Sequence, residues 1–139
     1  MRYQLLILLL ANFYNVSHAF NESDKKLLVD NCIYETANTS KEEKIAVVHV
    51  VLNRIKDKRF PSSIEGVIMQ PKQFSWTNNM EDLREPKEAE VKSCTKAVQE
   101  ALVTEPHSYN HYFLASIKTP YWASDKELNI VDKHFFVEL

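Results

Sequence analysis

The chain has 139 residues, of which 45% are hydrophobic, 26% charged and 11% aromatic, with a formal net charge of −2. That length and apolar share support one folded domain and exclude intrinsic disorder, and the slight acidity argues against a nucleic-acid binder. A single Gly excludes Gly-rich phosphate loops and dinucleotide-binding fingerprints.

The first residues read as an export signal. Arg2 precedes an apolar run over residues 5–11, and Ser17-His18-Ala19 puts small residues at the −3 and −1 positions of a cleavage site. The run is shorter than the roughly 20 residues of a membrane-spanning helix. Residues 1–19 are therefore expected to be a cleavable signal and 20–139 the mature domain, periplasmic or extracellular, with no stable membrane span. In such a compartment Cys32 and Cys94 can form one disulfide; two buried free thiols are the alternative.

Residues 27–37 predict a first helix, with Leu28, Cys32 and Glu35 on one face. Asn38 can take the left-handed conformation that ends a helix. Ser40-Lys41-Glu42-Glu43 forms a capping box in which the Ser40 hydroxyl caps an N–H and Glu43 reaches back. Behind it, residues 45–55 are apolar on almost every side, which places that helix at the centre of the core. Phe60-Pro61 breaks the chain, and Ser62-Ser63-Ile64-Glu65 offers a second capping box for a short helix through Met69. Pro71 ends it, and residues 73–83 read as an irregular loop.

Pro86 opens another helix, whose buried stripe is Val91, Cys94, Val98, Ala101 and Leu102. Residues 111–115 and 129–137, rich in aromatic and β-branched side chains, predict two strands paired antiparallel. Helices followed by a small sheet make the fold α+β and mostly helical.

Glu35 is the sharpest chemical feature. A carboxylate in line with Leu28 and Cys32, beside the most apolar helix, is partly desolvated, which raises its pKa and suits a general acid. A helix-end Glu turned to solvent is the alternative. Gln73-Phe74-Ser75-Trp76, with Tyr112, Tyr121 and Trp122, supplies rings to stack on sugars and polar groups to bind their hydroxyls; the same rings serve equally as core. His107 and His111 are spaced i, i+4, but Ser108 follows His107, and Pro106 and Asn110 favour a loop. His49, inside the apolar helix, reads as a core histidine. No metal and no cofactor is expected.

Glu35 is followed in order by Ile45-Ala46-Val47, Val50-Val51-Leu52-Asn53-Arg54, Phe60-Pro61, Ile64, Gly66-Val67-Ile68, Gln70 and Gln73-Phe74-Ser75-Trp76. His111-Tyr112-Phe113, Pro120, Trp122-Ala123 and His134-Phe135-Phe136 complete the set. This ordered set resembles the cell wall hydrolases of the spore-cortex-lytic, SleB type. The resemblance implies a secreted, lysozyme-like domain that cleaves the glycan strands of peptidoglycan, with Glu35 as the catalytic acid. It implies a lytic transglycosylase acting between N-acetylmuramic acid and N-acetylglucosamine; a hydrolytic muramidase and a non-catalytic peptidoglycan-binding domain are the alternatives.

Gln73, Ser75 and Tyr112 are then expected to contact substrate, with Phe74, Trp76 and Trp122 as groove walls. His134 either braces the site or is a buried histidine holding the sheet. Glu43, Glu81 and Asp82 are candidates for a second carboxylate only by nearness in the chain. The chain departs from the family at Asn38-Thr39, where Gly then Glu is common, and at Asp132, where Gly is usual.

Overall fold

A computed structural model describes residues 20–139, so the expected signal over 1–19 lies outside the described residues. Helix α1 spans Glu22–Glu35 and begins before the predicted residue 27. The Asn21 side chain accepts the Asp24 N–H at 2.8 Å and Asp24 takes the Asn21 N–H in return, a reciprocal cap that starts the helix ahead of its apolar stripe. The helix stops at Glu35. Thr36 turns both its N–H and its hydroxyl onto the Cys32 carbonyl, and Asn38 follows with φ of 58°.

Helix α2, Lys41–Lys56, is the axis of the molecule. Its Val48, Val51 and Leu52 pack with Leu28 of α1, with Ile64, Val67 and Ile68 of helix α3 (Ile64–Ile68), and with Val98 and Ala101 of helix α4 (Glu88–Val103). Its Ala46, Val47 and Val50 pack instead on Phe136 of the sheet. Being covered on both sides explains why the helix is apolar nearly all round.

The Ser40 hydroxyl caps the Glu43 N–H as expected, but the return bond to Ser40 N–H comes from Asp132 at 2.6 Å, not from Glu43. In α3 the cap is Ser63, on the Gly66 N–H, one residue after the predicted box. Gly66 packs where no side chain fits, since a Cβ there would stand 2.7 Å from Pro61 Cβ.

Residues predicted as irregular form a 3₁₀ helix over Ser75–Asp82, kinked at Asn79. Pro86 precedes α4 rather than opening it, and Glu90 accepts the Lys87 N–H at 2.9 Å. On α4, Val91 is 40% exposed and Ala97 takes its place in the buried stripe. Cys32 and Cys94 form a disulfide that ties α1 to α4, Cα atoms 5.8 Å apart.

Three strands form instead of two: β1 (His111–Leu114), β2 (Asn129–Val131) and β3 (His134–Val137), antiparallel in the order β1-β3-β2. Asp132, at φ of 52°, splits the predicted second strand by turning the chain between β2 and β3. Among the described residues no helix is long and apolar enough to cross a membrane.

Candidate active site

Glu35 ends α1 half-buried beside α2 and the inner face of the sheet, where Tyr112 and Phe136 pair across β1 and β3. Tyr112 donates its hydroxyl to Oε2 of Glu35 at 2.9 Å. Burial pushes the Glu35 carboxyl above its ordinary pKa, while the Tyr112 hydrogen bond and, more weakly, His134 and Arg54 pull it down. The net shift is upward, the direction a proton donor needs. The Tyr112 hydroxyl is itself pushed well up by burial and by Glu35, so it stays a donor.

The end of α1 carries no basic side chain of its own. Lys44 of α2 supplies the missing cation: its Nζ bonds the carbonyls of Thr36 and Thr39 at 3.1 and 2.9 Å and the Thr39 hydroxyl. A buried ammonium on a helix C-terminus satisfies exposed carbonyls and meets the negative end of the helix dipole. Together with the disulfide one turn earlier, it fixes the turn that presents Glu35.

Arg54, only 5% exposed, completes the floor. Its Nε donates to the Asn110 carbonyl at 2.7 Å and Nη1 to Oε1 of Gln73 at 3.2 Å. The guanidinium lies over the rings of Phe60 and Phe74, 5.0 and 5.5 Å from their centroids. Asn53, next to it, holds the carbonyls of His107 and Tyr109 and so shapes the loop that leads into β1.

The predicted site residues divide. Tyr112 touches Glu35, and His134 stacks edge-on with Tyr112 at 5.4 Å. Gln73 is exposed but tethered to Arg54, and Ser75 is exposed at the start of the 3₁₀ helix. Phe74 and Trp76 are not groove walls. Phe74 is 2% exposed and Trp76 8%, with its indole N–H on Oδ1 of Asn31 at 2.8 Å and its ring stacked on Tyr34. Both rings are core, where their area is worth most.

Trp122 is half-buried against His111 and Phe113, on the face of the sheet away from Tyr112. His107 bonds the Ala46 carbonyl and the Tyr109 N–H, and His49 the Ala101 carbonyl. Glu43 is fully buried against β3, and Glu81 and Asp82 are exposed. Lys44 has no expected site role from sequence, and Glu43 enters only as a candidate second carboxylate, a role its burial against β3 does not fit. The signal that finds them is a charged residue directly preceding an unbroken apolar helix, and for Arg54 a charge one turn beyond Val50 and Val51 on the buried face.

Residues 38–137 match the family model described as Cell Wall Hydrolase. The chain belongs to the cell wall hydrolase family, SleB type. The matched stretch begins just after Glu35 and contains Arg54, Tyr112 and His134. Among relatives of this cell wall hydrolase, the spore cortex-lytic enzymes of Bacillus subtilis and Oceanobacillus iheyensis are each 26% identical over 125 residues. Those alignments cover 89% and 88% of this chain but 40% and 44% of the relatives, so the chain spans less than half their length. The fold is that of the catalytic domain of the Bacillus cereus SleB protein, with a TM-score of 0.75 at 23% identity, covering 87% of this chain and 94% of that one.

Proposed function

We propose that this cell wall hydrolase cleaves peptidoglycan glycan strands as a lytic transglycosylase with Glu35 as its one acid and base. The observation that carries the reading is a single desolvated carboxyl at a helix end, held on one oxygen by Tyr112. Protonated Glu35 donates to the oxygen of the β-1,4 bond between N-acetylmuramic acid and N-acetylglucosamine, and the bond from that oxygen to the anomeric carbon breaks. Ionised Glu35 then takes the proton of the muramic acid 6-hydroxyl as its oxygen closes on the anomeric carbon, giving a 1,6-anhydro end.

A hydrolytic outcome calls for a second carboxylate roughly 5–9.5 Å away to act as nucleophile or to activate water. Glu43, the other buried carboxylate among the described residues, is spent on β3. That favours the internal hydroxyl over water. A solved domain of the same fold, 22% identical, carries the name germination-specific lytic transglycosylase SleB from Bacillus anthracis, which agrees with the reading. Gln73, Ser75 and Tyr112 remain our substrate contacts. Residues 20–139 form the catalytic unit, exported by residues 1–19 to a compartment where the Cys32–Cys94 bridge persists.

The test is mass spectrometry of fragments released from purified peptidoglycan by the wild type and by Glu35→Gln. Anhydro-muramic ends that vanish in the variant support the reading. Reducing ends point to a muramidase, and no fragments from either protein point to a binding domain.

A further inference from the structure

Glu43 is a buried carboxylate that the proposed chemistry leaves idle. The sequence pattern gives it to the cap of α2, but Asp132 fills that place and sets Glu43 free. Its Oε1 receives the Lys133 N–H at 3.0 Å and lies 2.7 Å from Nδ1 of His134, while Oε2 is buried with no partner among the described residues. Burying a carboxylate with one oxygen unpaired is expensive, and an apolar pair would fasten strand to helix at lower cost.

With Oε1 accepting the Lys133 N–H, the matching arrangement has Nδ1 of His134 as the donor of the second bond. The ring so fixed meets Tyr112 at 86°, centroids 5.4 Å apart. Tyr112 donates to Oε2 of Glu35. Glu43, His134, Tyr112 and Glu35 thus form one row, with α2, β3, β1 and α1 contributing a residue each.

We propose that Glu43 is a positioning residue: through His134 it holds the Tyr112 phenol on Oε2 of Glu35 and leaves Oε1 as the oxygen that carries the acid proton. Oε2, occupied as an acceptor, is a poor seat for that proton, so the geometry selects which face of the carboxyl meets the substrate. The proposal rests on the reading of Glu35 as the acid.

Its test combines kinetics on soluble glycan fragments with nitrogen-15 NMR of the histidine rings in the oxidised protein. Glu43→Leu keeps the volume and removes the acceptor. The expected result is a fall in kcat of about tenfold to a hundredfold, the size of effect that small misplacements produce, with KM within twofold. Glu43→Gln, which keeps an oxygen for Lys133 and His134, recovers most of the loss. In the wild type, His134 carries a proton on Nδ1.

Ser40→Ala, which removes the cap of the same helix and lowers Tm, is expected to leave kcat unchanged well below its Tm. A bare Nδ1 in the wild type overturns the proposal whether or not Glu43→Leu folds. So does a wild-type kcat in Glu43→Leu, or a loss that Ser40→Ala reproduces at equal loss of Tm. If the wild type releases no fragments, the reading of Glu35 fails separately, and the Nδ1 proton alone decides whether Glu43 orients His134.

Discussion

The hydroxyl of Tyr112 stands 2.9 Å from Oε2 of Glu35, a bond between residues 77 positions apart that partly offsets the effect of burial on the carboxyl. Since that bond pulls the Glu35 pKa down against the upward push of burial, Tyr112→Phe raises it further. On the proposed role of Glu35 the acid acts protonated, so the alkaline limb of the pH–activity profile is expected to move to higher pH. Losing a hydrogen bond to the charged form, worth about 1.5–3 kcal/mol, also slows the step in which Glu35 ionises. Fragment release measured across pH checks both effects.

The Trp76 ring belongs to the core, so its loss is expected to show in stability and not in binding. Trp76→Phe leaves Oδ1 of Asn31 buried without its donor, at a cost of about 1–3 kcal/mol in urea unfolding. KM for glycan fragments is expected to stay at the wild-type value, because the indole meets Tyr34 and Asn31.

The Cys32–Cys94 bridge closes a separation of 62 residues. A loop of that size constrains the unfolded chain by about 4 kcal/mol. The double variant Cys32→Ser/Cys94→Ser is expected to lose stability of that order in denaturant melts, with reduction giving the wild type the same loss.

Burial lowers the pKa of His107 from 6.5 to about 4. The unfolded chain therefore binds a proton more readily than the folded one in that interval. The stability tied to the neutral ring is complete above pH 6.5 and drains away as pH falls toward 4, by less than the roughly 3 kcal/mol of an unscreened shift, because the ring is partly exposed. His49, also lowered by burial, acts in the same direction. Urea midpoints between pH 7 and 4 should fall steeply in the wild type and less steeply in His107→Gln.

Gly66→Ala is expected to cost about 1–3 kcal/mol through overpacking, since the added methyl meets Pro61 Cβ at 2.7 Å and Ser63 Oγ at 2.9 Å. Both contacts lie in the short segment around the cap of α3, so the loss appears as a lowered Tm.

Much of the site is legible in the sequence. The placement of Leu28 and Cys32 put Glu35 on the edge of a buried face, and the all-round apolar run named α2 as the centre. Asn38 and Asp132, where the family resemblance leads one to expect Gly, both adopt positive φ, because Asx side chains tolerate that region. The aromatics were harder. Phe74 and Trp76 look the same in sequence whether they line a groove or fill a core; only Asn31 and Arg54, distant in the chain, decide it. Glu43 reads in sequence as a cap and, by nearness alone, as a second carboxylate; its bonds to β3 are not legible there, because the residue that takes over the cap, Asp132, comes 92 positions after Ser40.

Four hydrogen bonds join the segment around residues 38–43 to the turn at 132–134: Ser40 to Asp132, Glu43 to Lys133 and to His134, and Asn38 to Lys133. Contacts that close 90 or more positions form late, after the local turns of the helices have gathered. Until the sheet docks, Glu35 lacks both the burial that raises its pKa and the Tyr112 hydroxyl on its Oε2. On the proposed reading, the acid is therefore tuned only once contacts from opposite ends of the domain have closed, and an unfolded chain lacks it.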